Sequence, residues 1–464
     1  MPVLVIFLVL DMDGMKQKFN FILVIALVLA LSQSAGAQTG LPDTTGKSYT
    51  LAECISIALD NQPAVRQAQL DEEITDRQIK ASLSGWFPQI NAAANYNRNL
   101  ELPVSFFPNQ TTGERTAVRI GVFNTSNFLI EARQSIFNNE LFLASRNAKP
   151  LRRLFSQNTE EVRISSVVAV SKAYYDILIS QEQLSILDQV RQRQERQLND
   201  ARNLYEGGLV DPTDYKRATI ALNNTLADIK RTIETLKYKY AYLHQLMGTG
   251  TSDVFAVKID KQSLEADMLL DTTQLVDFNN RIELQQLETQ RQLQGFAISA
   301  QKWSLFPTLS AFANRNHVFQ NDEFSQLYKT MYPNSVVGVS LVLPIFQGGR
   351  RYHNWQQEKL INQRIDEDIR NTQNVINTQY QQSMALYKSD LNDYKTATAN
   401  VQLSEEVYNT IKLQYDEGIR TYLDLMIAES DLRSAQINQL NTMLHVLSSK
   451  LDVLQSLGII NTNQ

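Results

Sequence analysis

Residues 86–95 read WFPQINAAAN, and residues 305–314 read LFPTLSAFAN. Each copy opens on Phe-Pro and continues with apolar side chains that alternate with polar or small ones. Alternation with a period of two is typical of a β-strand with two different faces. Because the pattern occurs twice, the chain is predicted to contain two copies of one structural unit.

Two further pairs of sequence marks follow the Phe-Pro openings in the same order. Residues 134–138 (QSIFN) correspond to 343–347 (LPIFQ), and residues 205–209 (YEGGL) correspond to 415–419 (YDEGI). Phe137 lies 71 positions before Gly208, and Phe346 lies 72 before Gly418. Equal length in both halves predicts a rigid segment. From the Phe-Pro openings to Phe137 and Phe346, the intervals are 49 and 39 positions, a difference typical of a surface loop.

The segments of fixed length, 139–204 and 349–414, are rich in Gln, Glu, Arg, Leu and Ala. Their apolar residues recur every three to four positions, which predicts amphipathic helices of about 65 residues, each roughly 100 Å long. Each helix is followed by a glycine turn and a second helical segment. The sequence therefore predicts two helical hairpins, within residues 139–247 and 349–457.

Alternating segments on either side of each variable loop predict four strands, near residues 86–98, 127–137, 306–316 and 335–346. In the last segment Val337, Val339 and Leu341 share one face, opposite Gly338 and Ser340. An apolar outer face and a polar inner face over about ten residues are the signature of a membrane-barrel strand. Four strands cannot close a barrel around a water-filled lumen, so the chain must pool its strands with copies of itself.

The N-terminus predicts export from the cytoplasm. Lys16 and Lys18 precede the uncharged apolar run 21–31, and small residues follow up to Ala37. This is the layout of a cleaved signal peptide, here residues 1–37, with 1–14 upstream of an expected start at Met15. An uncleaved anchor is the alternative, disfavoured by the short apolar run. After the signal, no apolar run approaches the ~20 residues that a transmembrane helix requires.

Composition excludes several kinds of chemistry. The formal net charge is −5, whereas a nucleic-acid partner requires a basic face. The four histidines show no metal-ligand spacing, and no phosphate-binding or nucleophile motif is present. We therefore expect no enzyme activity, no cofactor and no metal site. Cys54 is the one cysteine, so it cannot form an intramolecular disulfide, and we expect it to be buried in a helix.

With this order of segments, the chain resembles the TolC-like outer-membrane efflux protein family. The resemblance covers the mature chain from Tyr49 onward. It depends on the Phe-Pro openings, the stretch 344–349 (PIFQGG) and the two Tyr-x-x-Gly tips. It implies a mainly α fold with a membrane β-barrel: a homotrimer shares twelve strands in the outer membrane, above a long helical barrel in the periplasm. It also implies one efflux repeat in residues 38–254 and a second in residues 255–464.

The resemblance further implies a channel-tunnel that exports small molecules or proteins across the periplasm and outer membrane. Its implied partners are a periplasmic adaptor, an inner-membrane pump or secretion transporter, and outer-membrane lipid around the barrel. The sequence does not identify the cargo.

The two hairpin tips contain the candidate functional residues. Asp214 and Asp424 each lie nine positions after the tip tyrosine, a turn into the return helix, where a carboxylate suits the positive helix end. The resemblance adds a gate that holds the tunnel shut, formed by Asp214, Tyr415, Arg420 and Asp424. It also implies adaptor-docking tips at Gly207, Gly208, Leu209, Gly418 and Ile419. Ile427 stands where the family's best-known pattern has a second aspartate, which argues against a second acidic ring.

A secreted, elongated helical structural or adaptor protein is the alternative class. It explains the long helices but gives no reason for the alternating strands or the matched Phe-Pro openings. An exported enzyme is the third class, and no catalytic constellation supports it.

Overall fold

The computed structural model describes residues 47–108, 115–208, 211–250, 255–257, 264, 267–274 and 276–462. The predicted signal peptide and Leu209 lie outside these residues. From Ser48 onward the described chain is one compact unit. None of its described helices combines the length and the hydrophobicity that are needed to cross a membrane.

Most of the described chain is α-helical, which confirms the mainly helical prediction. The helices are α1 (Leu51–Asn61), α2 (Pro63–Leu83), α3 (Asn139–Glu206), α4 (Pro212–Met247), α5 (Ile282–Trp303), α6 (Arg350–Asp416) and α7 (Tyr422–Leu457). The strands are β1 (Lys47–Tyr49), β2 (Gln89–Arg98), β3 (Val104–Pro108), β4 (Arg115–Arg119), β5 (Asn124–Phe137), β6 (Phe255–Val257), β7 (Thr308–Asn321) and β8 (Met331–Val342).

Two long helical hairpins dominate the molecule. Helix α3 has 68 residues and returns as α4 with 36, and α6 has 67 residues and returns as α7 with 36. At 1.5 Å per residue, each long helix spans about 100 Å. Helix α3 begins where the Asn138 side chain accepts a hydrogen bond from the Glu140 backbone N–H, which satisfies one of the free donors of the first turn.

The largest hydrophobic core lies where five helices meet. One side chain from each is at most 1% exposed: Cys54, Ile177, Leu243, Tyr387 and Val446. Such a helix cannot bury its apolar stripe alone, so the core holds the two hairpins and α1 together. The two-stranded sheet of β1 and β6 lies beside it, and Val257 of β6 belongs to the same cluster. The predicted burial of Cys54 is confirmed.

A four-stranded antiparallel sheet follows the order β2-β5-β7-β8. Its register pairs Ala313 with Val337 and Ala311 with Val339, so the apolar residues of neighbouring strands share one face. On that face Val337, Val339 and Leu341 are 79%, 66% and 61% exposed. The exposed apolar face agrees with the alternation in the sequence, and it requires a cover other than water.

The strand bounds differ from the sequence prediction by a few residues. The segment predicted as 335–346 is strand β8, which both begins and ends four residues earlier. Its last residue, Val342, pairs with Thr308, the first residue of β7, so nothing remains for Leu343 to pair with. Similarly, β2 begins only after Pro88, which has no backbone N–H to donate.

The variable loop of the first half contains a hairpin that the sequence analysis did not predict. Strands β3 and β4, which lie between β2 and β5 in the chain, pair antiparallel with each other and form a separate two-stranded sheet. The corresponding loop of the second half holds only a short 3₁₀ turn, Phe324–Gln326. The ten extra positions of the first half therefore correspond to this hairpin.

Candidate functional site: the hairpin tips

Each long helix ends at a tip that is formed by a left-handed glycine. In the second tip, Gly418 has φ 74°, its N–H donates to the Tyr415 carbonyl at 2.9 Å, and the Ile419 N–H donates to the Gln414 carbonyl at 2.8 Å. This is the Schellman arrangement, which satisfies the free carbonyls of a helix end. In the first tip Gly208 has φ 71°. Both glycines therefore have a structural role in the turn.

The two return helices begin with different side-chain caps. Pro212 is the first residue of α4, and the Asp211 side chain caps the helix by accepting a hydrogen bond from the Thr213 N–H at 2.5 Å. In α7, Thr421 and Asp424 form a capping box: the Asp424 N–H donates to the Thr421 hydroxyl, and the Thr421 N–H donates to the Asp424 carboxylate at 3.1 Å. These caps fix the position at which the chain turns back.

The cap also determines the state of the Asp424 carboxylate. The Thr421 hydroxyl donates to it at 2.8 Å. This bond, the backbone bond from the same residue and the nearby Arg420 charge lower the pKa of Asp424. The carboxylate is therefore ionised at neutral pH and is held by its own helix. Sequence reasoning had identified its place near the positive helix end but not its bond to Thr421.

The charge of Asp214 acts on the aromatic residues of the second tip. Burial raises the pKa of Tyr415, and the negative charge of Asp214 adds to the increase. Burial likewise raises the pKa of Tyr422 to about 12, with Glu429, Tyr415 and Asp214 as further causes. The Tyr415 and Tyr422 rings are 6.1 Å apart. The fold thus brings Asp214 and Tyr415, which are predicted gate residues from different hairpins, to one place.

Arg420, like Asp424, makes its hydrogen bonds within its own tip. Its Nε donates to the Gln414 side chain at 3.2 Å. The ion-pair partner of Asp214 within this chain is Arg217, at 3.6 Å. Among the described residues no ion pair joins Arg420 to Asp214. Within a single copy, the Arg420 guanidinium therefore donates to a neutral partner.

The structure adds contacts near the tips that sequence reasoning missed. Tyr205 and Tyr215 stack across the first tip, with ring centroids 6.3 Å apart. A few turns away, Arg193 of α3 forms an ion pair with Glu429 of α7, with Nε and Oε1 2.8 Å apart. Glu429 occupies the face of α7 that also contains Leu425 and Leu432. A charge among apolar positions was the signal available in the sequence.

Metal chemistry finds no support in the tips. Within the part of the chain that the structure describes, no group of three His, Cys, Asp or Glu side chains could hold a metal ion.

The sequence and the fold are similar to those of known proteins. A model of the family described as outer membrane efflux protein matches residues 54–249 and 278–459. Outer membrane protein TolC of Vibrio cholerae is 22% identical over 433 residues, covering 89% of this chain and 91% of that protein. The proteases secretion protein PrtF of Dickeya chrysanthemi is 18% identical over 445 residues, covering 94% and 92%. The crystal structure of the Campylobacter jejuni CmeC outer membrane channel gives a TM-score of 0.68 at 16% identity, covering 89% of this chain and 87% of that one.

The paired long helices and the four-stranded sheet form a fold that this chain shares with the solved channel. The matched segments cover most of the chain. The chain belongs to the outer membrane efflux protein family. It is an outer-membrane channel component of an efflux or secretion system.

Proposed function

We propose that three copies of the chain pool strands β2, β5, β7 and β8 into one twelve-stranded barrel in the outer membrane. The observation on which this depends is the apolar face of the sheet, with Val337 79% and Val339 66% exposed. In one copy β2 and β8 are edge strands. Lipid cannot satisfy the free backbone groups of an edge, so neighbouring copies must pair there. Twelve strands leave room for a lumen that four cannot provide.

The two helical hairpins of each copy extend the barrel as a tunnel through the periplasm. Each hairpin belongs to one repeat, 38–254 or 255–464. Supporting this division, the hairpins have matched lengths and each ends at a left-handed glycine. Residues 1–37 are proposed to be the signal peptide that directs export.

Asp214, Tyr415, Arg420 and Asp424 close the inner end of this tunnel. Because Arg420 donates to the neutral Gln414 side chain and forms no ion pair among the described residues, we assign its carboxylate partner to Asp214 of a neighbouring copy. A water-exposed ion pair contributes about 0–1 kcal/mol. Three such contacts per trimer close the tunnel, yet a docking protein can open them. Three copies of Asp424 add an acidic ring, which favours cations.

The tips themselves are the docking surface for a periplasmic adaptor, and an inner-membrane pump or secretion transporter completes the assembly. Ile419 supports this role, because its apolar side chain is 72% exposed at the turn and is available to a docking protein. Gly207, Gly208, Leu209 and Gly418 complete the docking tips. The cargo is a small molecule or a protein; the secretion protein named above handles proteases.

The experiment that tests the channel is single-channel conductance of the purified protein in a planar bilayer. Because Asp424 both lines the gate and caps α7, two variants separate the roles. Asp424→Asn removes the charge and keeps an acceptor for the Thr421 N–H; Thr421→Ala removes the cap and keeps the charge. We expect a small, steady wild-type conductance, a rise and weaker cation preference in Asp424→Asn, and unchanged cation preference in Thr421→Ala.

Failure of the channel proposal would be equally plain. Folded protein extracted from the membrane that conducts neither as wild type nor as Asp424→Asn would contradict it. A secreted helical structural or adaptor protein, the alternative class considered from the sequence, would leave the apolar sheet face uncovered. Recovery of heat-resistant oligomers in the outer-membrane fraction would exclude it.

A further inference from the structure

One ion pair between the two hairpins is withdrawn from water. The Arg193 Nε and a Glu429 carboxylate oxygen lie 2.8 Å apart, and their side chains are 24% and 3% exposed. Arg193 belongs to α3 of the first hairpin and Glu429 to α7 of the second. The pair therefore joins the hairpins within one chain, a few helical turns from the tips.

Arg193 reaches both arms of the second hairpin. Its guanidinium lies 5.6 Å from the centroid of the Tyr408 ring, which belongs to α6. Tyr408 packs with Leu425 and Leu432 in a small hydrophobic cluster between α6 and α7. The charge is thus inserted into the apolar seam of the opposite hairpin, where a cation over an aromatic ring is stabilised further.

The pair has no counterpart when the equivalent positions of the two hairpins are exchanged. Leu403 stands twelve positions before Tyr415, as Arg193 stands before Tyr205, and it is 59% exposed. Five positions after Asp424 stands Glu429, and the same step from Asp214 leads to Thr219. Two kinds of seam alternate around a trimer, within a chain and between chains. The equivalent positions can form this ion pair only at the seam within a chain.

A second link lies one turn further along α7 on the same side of the helix. Arg433 and Asp228 of α4 are 3.6 Å apart, with side chains 25% and 34% exposed. Residues four apart on a helix are neighbours, so Glu429 and Arg433 face the first hairpin together.

These two links differ physically from the contacts at the tips. Separating Arg193 from Glu429 leaves a carboxylate without a partner where water does not reach it, which is strongly unfavourable. The tip contacts of Arg420 and Asp214 are exposed, and water replaces them readily. A protein that pulls on the tips therefore parts the exposed contacts first.

We infer that Arg193 and Glu429 are positioning residues of the gate: their ion pair fixes the two hairpins of one chain to each other, so that the tips open at the seams between chains. The inference depends on the proposed trimeric gate. Loss of the pair frees the second hairpin to move against the first and loosens the tip, although neither residue touches the gate itself.

The test is single-channel recording of Glu429→Gln and of the charge exchange Arg193→Glu with Glu429→Arg. Lys230 and Glu234 provide the matched control, because this pair is as short, 2.6 Å, but is exposed, at 72% and 48%. We expect Glu429→Gln to raise the ratio of open to closed time by about tenfold or more, since breaking a buried pair is costly. The charge exchange should return the ratio to near the wild-type value, and Glu234→Gln should leave it unchanged.

Each outcome has one meaning. If Asp424→Asn opens the channel and Glu429→Gln does not, the pair is no positioning device, and the proposed function stands. If Glu429→Gln opens the channel but the exchange fails to restore closure, the effect does not come from the ion pair, and the inference is overturned. If neither the wild type nor Asp424→Asn conducts, the proposed gate is contradicted, and the inference that depends on it is overturned. Should Glu429→Gln fail to fold, the exchange decides alone: it must close as wild type does.

Discussion

Gly458, at the end of the last helix, offers a direct test of the packing of the α7 terminus against the backbone of Asn280. It has φ 70° and caps α7. A Cβ at this position would lie 2.7 Å from the backbone oxygen of Asn280 and 2.9 Å from its carbonyl carbon. Backbone atoms cannot rotate away as a side chain can. Gly458→Ala therefore combines a left-handed penalty of about 1–2 kcal/mol with an overpacking cost of about 1–3 kcal/mol, roughly 2–5 kcal/mol in total.

Gly418 is the matched control, because it has nearly the same φ, 74°, and no other atom within 4 Å of its would-be Cβ. Gly418→Ala should be destabilised by the left-handed penalty alone, about 1–2 kcal/mol. The assay is the thermal midpoint of the helical circular-dichroism signal in detergent, for both variants at one scan rate. Asparagine variants at the same two positions separate the clash from the backbone penalty, since asparagine tolerates the left-handed region. Gly418→Asn should be near wild type, whereas Gly458→Asn should keep the clash.

The comparison can fail in a clear way. Equal midpoint shifts for Gly418→Ala and Gly458→Ala would mean that Asn280 does not press on the α7 terminus in the folded protein. The close approach would then play no part in stability.

Three further predictions concern the gate, an acid-labile ion pair and the single thiol. Asp214→Ala and Arg420→Ala should each raise single-channel conductance; unchanged conductance in both would contradict their role as a latch. Burial acts to raise the pKa of Glu283, but its hydrogen bonds, chiefly from Arg281, outweigh that and lower it. The stabilisation is thus present above the unfolded value of about 4.3 and is lost as pH falls through the folded pKa. Acid titration of the thermal midpoint should be steeper in wild type than in Glu283→Gln. Burial raises the pKa of Cys54 to about 12, so maleimide should label this thiol at pH 8 only after denaturation.

The long elements were predictable from the sequence because their signals are long. Helical periodicity sustained over some 65 residues is not compatible with another secondary structure, and the matched spacings indicate where each hairpin turns. The strands gave weaker signals. Alternation indicated the faces correctly at Val337, Val339 and Leu341, but the strand ends depend on which residues of the neighbouring strand remain for pairing. That information lies elsewhere in the chain, and so β8 is shifted by four residues.

The hairpin of β3 and β4 illustrates a different limit. Its strands have five residues each, which is too short for a period of two to stand out. The length difference between the two halves did locate the insertion. An isolated two-stranded hairpin is marginally stable in water, so local propensity gives a weak signal for its presence.

At the tips, sequence reasoning found the residues but not their partners. The position of Asp424 near the start of α7 predicts a favourable field, and the bond with Thr421 explains how the carboxylate is held. The electrostatic influence of Asp214 on Tyr415 and the ion pair of Arg193 with Glu429 each join residues more than 200 positions apart. No local pattern specifies such pairings. The sequence feature that could have indicated a buried ion pair was the charge of Glu429 on an apolar helix face.

The packing of the hairpins is graded along their length, and this grading favours a gate at the tips. Near the first turns of the return helices the cluster around Tyr408 is small, and Gly418 has open space around it. At the far end of α7, Gly458 is pressed against the backbone of Asn280. Between the tips and this end, the large core holds five helices together. Segments with few buried apolar contacts open at the lowest free energy. A force that acts on the tips therefore meets little resistance until it reaches Arg193 and Glu429, where the buried pair sets the limit of the movable part.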